Sequence, residues 1–374
     1  MFDRQELREL ASYRDEENLI CSFYYPMEKG EPAEQGSLIR LKNMVTEAMN
    51  NQDDWTTSQT KSVSDDLERV QNLVAEELVS SSGGLAVFAC SAAGLWKVFH
   101  LPDKVKPLLA LDHTTHLKQL IRSLARYQRY CTILIGKGRS RVFLVDTDGV
   151  EEPFDVFTDV PGRHDEGGWA QARYQRHHDD RVMHHLKETG EEILTLLKDE
   201  EFDGLFVCGT DDVVSEFVEY LHPYLKERLI GSCAMEMTSS AAEVRQSILS
   251  AAGELLRARH ADAVEKLRAE VHSGNLGAAG LEDTIHALQK GQVLSLLVTE
   301  DFSAPGHRCT SCGQLSLISP CPFCGGETEP VQDIAEEMVK LSFLQNSETI
   351  FAGGRSGEVL AELGHIGALL RYAG

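Results

Sequence analysis

Residues 161–185 read PGRHDEGGWAQARYQRHHDDRVMHH and change character halfway. The first part is rich in turn formers: Pro161, Gly162, Asp165 and the pair Gly167 and Gly168. From Trp169 to Thr189 there is neither glycine nor proline, which predicts a long helix beginning just after the glycine pair. Two adjacent glycines give backbone that can take φ > 0 and approach another molecule closely. The first free N–H groups of the helix point outwards there, at the positive end of its dipole. Such a setting suits phosphate or a developing oxyanion. Arg173, Tyr174 and Arg176 follow on the helix. A mobile surface loop ahead of a solvated helix is the alternative reading of the same residues.

Outward from this stretch, strand patterns alternate with helix patterns. Residues 131–135, 142–146 and 150–156 read as strands before the loop, and 205–208 as a short apolar strand after it. A helix over 213–221, a weaker strand within 229–237 and a long helix over 241–271 complete the pattern of an α/β sheet. Residues 1–127 read as a separate α/β domain. It has a strand at 20–25, helices at 38–49 and 63–79 with a loop over 50–61 between them, and a hairpin of 85–89 with 97–101. SGNLGAAG at 273–280 reads as a flexible joint. The boundaries expected are therefore 1–127, 128–272 and 273–374, the last with a helix at 281–290, a strand at 293–298, a helix at 331–345 and a strand at 349–351.

Composition narrows the function. A formal charge of −23 over 374 residues argues against indiscriminate coating of nucleic acid or acidic membrane. Any RNA contact must come from a local basic patch. No apolar run is long enough to span a bilayer, and the start, MFDRQELREL, lacks a signal-peptide layout. Of nine cysteines, Cys21, Cys90, Cys131, Cys208 and Cys233 stand singly, which is not a secreted disulfide framework. The expected compartment is the cytoplasm.

Residues 113–145 hold no acidic residue but carry Lys118, Arg122, Arg126, Arg129, Lys137, Arg139 and Arg141. Arg122, Arg126 and Arg129 recur at i, i+4 and i+7, one face of an expected helix and a candidate RNA phosphate contact. Pairing with acidic neighbours elsewhere in the chain is the competing account.

Cys309-x2-Cys312-x8-Cys321-x2-Cys324 is the most specific chemical signal. Gly313 and Gly325 follow the two CxxC pairs and permit the tight turns that bring backbone N–H groups to thiolates. Four thiolates suit tetrahedral Zn²⁺ and leave no open position, so the expected zinc is structural. An empty ancestral site or a redox pair are the alternatives. His177, His178, His184 and His185 share the long helix without a metal-site spacing, and read as polar helix surface. Asp211 and Asp212, after the 205–208 strand, read as a helix N-cap in preference to a Mg²⁺ site.

GGWAQARYQR at 167–176 resembles the GGQ loop of archaeal and eukaryotic class-1 release factors, GGQSAxRFxR. Gly167, Gly168, Arg173, Tyr174 (for Phe) and Arg176 match, while Trp169 replaces the glutamine. LEDTIHALQKGQVLSLLVTED, the two CxxC pairs and the closing LGHIGALLRY are similar to the third domain of the same family. Over about 128–374 the pattern is most similar to the bacterial release-factor-like baeRF branch, whose relatives include Pelota and Balon. The resemblance implies an α/β chain of three domains. The middle one would be RNase H-like and reach the peptidyl transferase centre. The third would be Pelota-like (α-β-α), carry the zinc insert and meet a translational GTPase or the ribosomal stalk base. Neither the NIKS nor the YxCxxxF stop-codon signature occurs in residues 1–127, so ordinary termination is not implied.

Three functions follow from that resemblance. The first is a ribosomal A-site factor that hydrolyses peptidyl-tRNA in rescue, with Gly167, Gly168, Trp169 and Gln171 at the reacting ester. The second is a non-catalytic hibernation factor in which Trp169 stacks on RNA. The third is a nuclease acting on the tRNA acceptor end. The expected partners are the ribosome and peptidyl-tRNA, with no membrane, and the expected state is monomeric. The RNA-contact candidates are Arg122, Arg126, Arg129, Arg173, Tyr174 and Arg176.

Overall fold

The computed structural model describes residues 4–27, 31–50, 55–77, 83–102, 104–158 and 169–372. It is a mixed α/β fold that divides into two compact units, Met1–Arg126 with Ala258–Gly374, and Tyr127–Arg257. The division falls inside the helix Ala241–Ser273, not at residues 273–280. That stretch was read as a joint, yet its Gly277–Ala279 is a strand that pairs antiparallel with Ile366–Leu370. Small residues there allow close packing: a Cβ at Gly277 would lie 2.8 Å from the Val271 amide nitrogen.

The Tyr127–Arg257 unit is a five-stranded sheet in the order Val150–Phe157, Arg139–Val145, Tyr130–Ile135, Gly204–Gly209, Leu229–Cys233. The first three strands pair antiparallel and the last three pair parallel. Near-continuous apolar runs such as YCTILI fit a central strand covered on both faces. One face packs on Val182, Leu186 and Ile193 of the helix Trp169–Asp199 and on Phe217 of Asp211–Tyr220. The other packs on Val244, Ile248 and Ala252.

The other unit holds two four-stranded sheets. The first is antiparallel, in the order Leu95–Leu101, Gly83–Cys90, Ile20–Met27, Leu108–Asp112. The second runs Gly277–Ala279, Ile366–Leu370, Val293–Thr299, Glu348–Ala352. A single apolar cluster joins them, from Leu10, Tyr24 and Phe88 to Leu288, Ile334 and Met338. A buried polar seam runs beside it. Glu336 accepts from the backbone N–H of Leu117 and Lys118, so it caps the helix Lys118–Arg126 from over 200 residues away. Lys340 Nζ donates to Thr115 O at 2.8 Å and meets Glu337 Oε1 at 2.6 Å, and Glu337 also pairs with Arg308. Nothing in the local sequence marks Glu336, Glu337 and Lys340 as buried, because their partners are distant in the chain. The 50–61 loop also differs from expectation, since a helix already starts at Thr57.

Candidate functional site

The helix Trp169–Asp199 begins immediately after the glycine pair, as its composition dictates. Gly167 and Gly168 lie outside the described residues, as do the side chains of Trp169, Gln171, Arg173 and Tyr174. What is described is how the helix presents them. Its side chains from Arg176 to Arg181 are exposed or half-buried, and the first buried one among those described is Val182. His185, fully buried, anchors the strand that leads into the loop: Thr158 Oγ1 lies 2.9 Å from its Nδ1. Burial pushes His185 below the ordinary histidine value. From Trp169 to His185 is 16 residues, or about 24 Å of helix.

His185 corrects the reading of all four histidines as helix surface. His177 and His184 are exposed and His178 is half-buried, but His185 belongs to the core with Ser140 and Thr189, which bond each other at 2.8 Å. Its neighbour Thr158 carries the only signal sequence could have offered, a hydroxyl at the strand end.

The basic block is largely neutralised. The helix carrying Arg122 and Arg126 ends at Arg126, so Arg129 is not on its face as expected. Arg129 sits among carboxylates, at 2.5 Å from Glu200 and 3.1 Å from Glu151, with Asp146 at 3.9 Å. Arg126 bonds Glu300 at 2.5 Å and Lys118 bonds Asp333 at 2.5 Å. Arg139 grips Asp155 through two nitrogens, and Arg141 grips Glu152 likewise while donating to Met237 O and Ser239 O. Lys137 meets Asp212 at 3.1 Å. Among the described residues Arg122 alone of the seven has no ion pair. Arg176 is exposed and has contacts of its own.

Asp212 lies in the first turn of its helix, and the N-cap is Thr210 rather than an aspartate. A hydroxyl hydrogen bond from Thr210, then Lys137, holds the Asp212 carboxyl at about 2. Cys208 and Cys233, read as single thiols, are directly opposed on neighbouring parallel strands and are joined as a disulfide.

The four clustered cysteines do converge. Their sulfurs all lie within 4.8 Å of one another, with Cys309 and Cys324 at 3.4 Å and Cys312 and Cys321 at 3.7 Å. Tetrahedral thiolates about 2.3 Å from one ion stand roughly 3.8 Å apart, so the set fits such a metal. The two knuckles repeat one design. Gly313 and Gly325 take φ of +72° and +71°, and their N–H groups close turns onto Cys309 O and Cys321 O, each at 2.9 Å. The Cys312 N–H then reaches the Cys309 sulfur and the Gly326 N–H the Cys324 sulfur, both at 3.4 Å. The Cys312 amide is the main reason the Cys309 thiol falls to about 6, ready to bind as thiolate. A three-stranded sheet, Leu315–Ser316, Gly306–Cys309 and Thr328–Val331, frames the cluster.

Residues 116–253, which contain the loop and its helix, match the family described as bacterial archaeo-eukaryotic release factor family 10. The peptide chain release factor subunit 1 of Thermococcus onnurineus is 24% identical over 412 residues, covering 99% of this chain and 97% of its own. That of Pyrococcus abyssi is 25% identical over 352 residues, 83% and 84% of the two chains. Among solved structures, a model of ribosome-bound archaeal Pelota and ABCE1 is similar over 75% of this chain and 72% of its own, at 19% identity and a TM-score of 0.42. The sequence matches make this a release-factor-like chain. Within that class, residues 116–253, the middle of the chain, are similar to the bacterial archaeo-eukaryotic release factors.

Proposed function

We propose that this protein is a ribosome-associated factor of the release and rescue type, which places residues 167–176 at the acceptor end of a tRNA in the A site. One observation carries the reading: similarity to archaeal release factors runs through essentially the whole chain, and in sequence Gly167 and Gly168 immediately precede the helix Trp169–Asp199. In this reading the middle region is the RNase H-like domain and the last is the Pelota-like domain that meets a translational GTPase. In that mechanism the backbone around Gly167 and Gly168 would admit a water, and the amide N–H of residue 169 would face the developing oxyanion. That N–H exists whatever the side chain, so Trp169 in place of glutamine leaves the donor intact. Gln171 supplies the side-chain amide that Trp169 lacks, and Arg173 and Arg176 hold phosphates.

The indole of Trp169 also favours a second reading, a factor that occupies idle ribosomes and stacks on RNA without cleaving anything. Both readings require ribosome binding. Co-sedimentation with ribosomes is expected to fall steeply with added salt, and Arg173→Glu with Arg176→Glu to weaken it further. Absence of binding to ribosomes and tRNA at low salt would sink both.

Zinc is the metal proposed for Cys309, Cys312, Cys321 and Cys324. With every position filled by thiolate it would serve as a staple for the insert and supply no chemistry to substrate.

A further inference from the structure

The strand Leu108–Asp112 is an edge of its sheet, paired on one side only, with Ile20–Met27. In such a ladder alternate residues turn their N–H and C=O groups away from the partner strand. Among the described residues no hydrogen bond takes up that outward backbone from Leu108 to Leu111. Natural edges are usually covered, twisted away or studded with charge. This one instead lines a cleft of about 870 Å³ along its full length.

The charges of the cleft are unevenly settled. Each carboxylate has a partner: Asp112 with His116, Glu300 with Arg126, Asp301 with Lys106, Asp333 with Lys118, and Glu336 with two backbone amides. Lys106 and Lys118 are thereby occupied. Arg122, half-buried in the same wall, helps hold the Asp301 carboxyl down but makes no ion-pair contact within 4.0 Å among the described residues, so its guanidinium donors remain open. A guanidinium takes a carboxylate through two parallel hydrogen bonds. We infer that the cleft beside Leu108–Asp112 binds an extended segment of a partner protein as a fifth strand, with an acidic side chain or terminus of that segment held by Arg122. Main-chain bonding supplies affinity in this mode, and pockets for alternate side chains supply selectivity. The inference does not depend on the activity of residues 161–185.

The test is to pan a phage-displayed library of random octapeptides on the full-length protein. Enriched peptides should carry Asp or Glu and bind one per chain. They should slow hydrogen exchange of the Leu108–Asp112 amides, and N-methylation of alternate peptide amides should abolish binding in one register. Arg122→Glu should weaken binding at least tenfold and Arg122→Gln by less, with both variants melting like the parent. The inference is overturned if no sequence is enriched, if bound peptides leave those amides unprotected, or if both Arg122 variants bind as the parent does. It is equally overturned if a single-stranded RNA, and not a peptide, protects them.

Discussion

The cysteine insert and the polar seam at Glu336, Glu337 and Lys340 both use polar groups to hold backbone in place, but over opposite ranges of sequence. All four sulfurs of the insert come from residues 309–324 and converge within 4.8 Å. The seam joins residues 114–118 to 336–340, more than 200 positions away. A local cluster can be lost with only its own small sheet. A long-range seam ties two halves of a hydrophobic core together, so its loss is felt by the whole unit. On the proposed reading the insert also takes up something the chain does not encode, a metal, whereas the seam is complete in itself.

Metal removal should produce the largest change and keep it local. Structural zinc in small sites binds with roughly 10–16 kcal/mol at neutral pH. Purified protein should therefore contain about one zinc per chain by mass spectrometry. Chelation or Cys312→Ser should then raise hydrogen exchange across 306–331 while the sheet containing Ile20–Met27 keeps its protection. Zinc-free protein whose exchange is unaltered by Cys312→Ser would erase the distinction between the two regions.

Breaking the seam should be smaller in free energy but global. Lys340→Ala leaves Arg308 as the remaining charge partner of Glu337 and takes the donor from Thr115 O, a change that costs about 1–3 kcal/mol. The urea midpoint of the unit should drop accordingly, and Lys340→Met should recover part of the loss, because its apolar stem still packs while Glu337 keeps Arg308. An unchanged midpoint would mean that the apolar cluster alone joins the halves.

The smallest effect expected concerns His185. Its folded pKa lies below the unfolded value of about 6.5, so the unfolded chain binds the proton first and stability falls as pH drops below that point. His185→Gln should flatten the dependence of the urea midpoint between pH 5.5 and 7.5. A parent protein with no slope there would place the imidazole in contact with water.

Range also explains what sequence could reveal. The cysteine quartet, the long helix after Gly168 and the strands 131–135 and 205–208 rest on local spacing and periodicity, and each was legible. The fate of Arg129 was not. Its carboxylates come from Asp146, Glu151 and Glu200, on other elements, and the helix that would have displayed it stops three residues earlier. The same applies to Cys208 and Cys233, which only the register of two parallel strands brings together. Gly277 misled for a different reason. A run of small residues reads as a joint, yet the Gly277 Cβ position is closed off by Val271, and the run is a strand of the core sheet.

The central claim, that Gly167 and Gly168 act at the acceptor end of tRNA, is met most directly by peptide release from stalled ribosomes. Parent protein, Gly168→Ala and Trp169→Ala would be compared at equal ribosome occupancy. Release by the parent, its loss in Gly168→Ala and partial retention in Trp169→Ala are expected, since glycine alone takes positive φ freely and the residue 169 N–H survives the tryptophan change. Equal release by all three, or none from parent protein bound tightly in the A site, would contradict it.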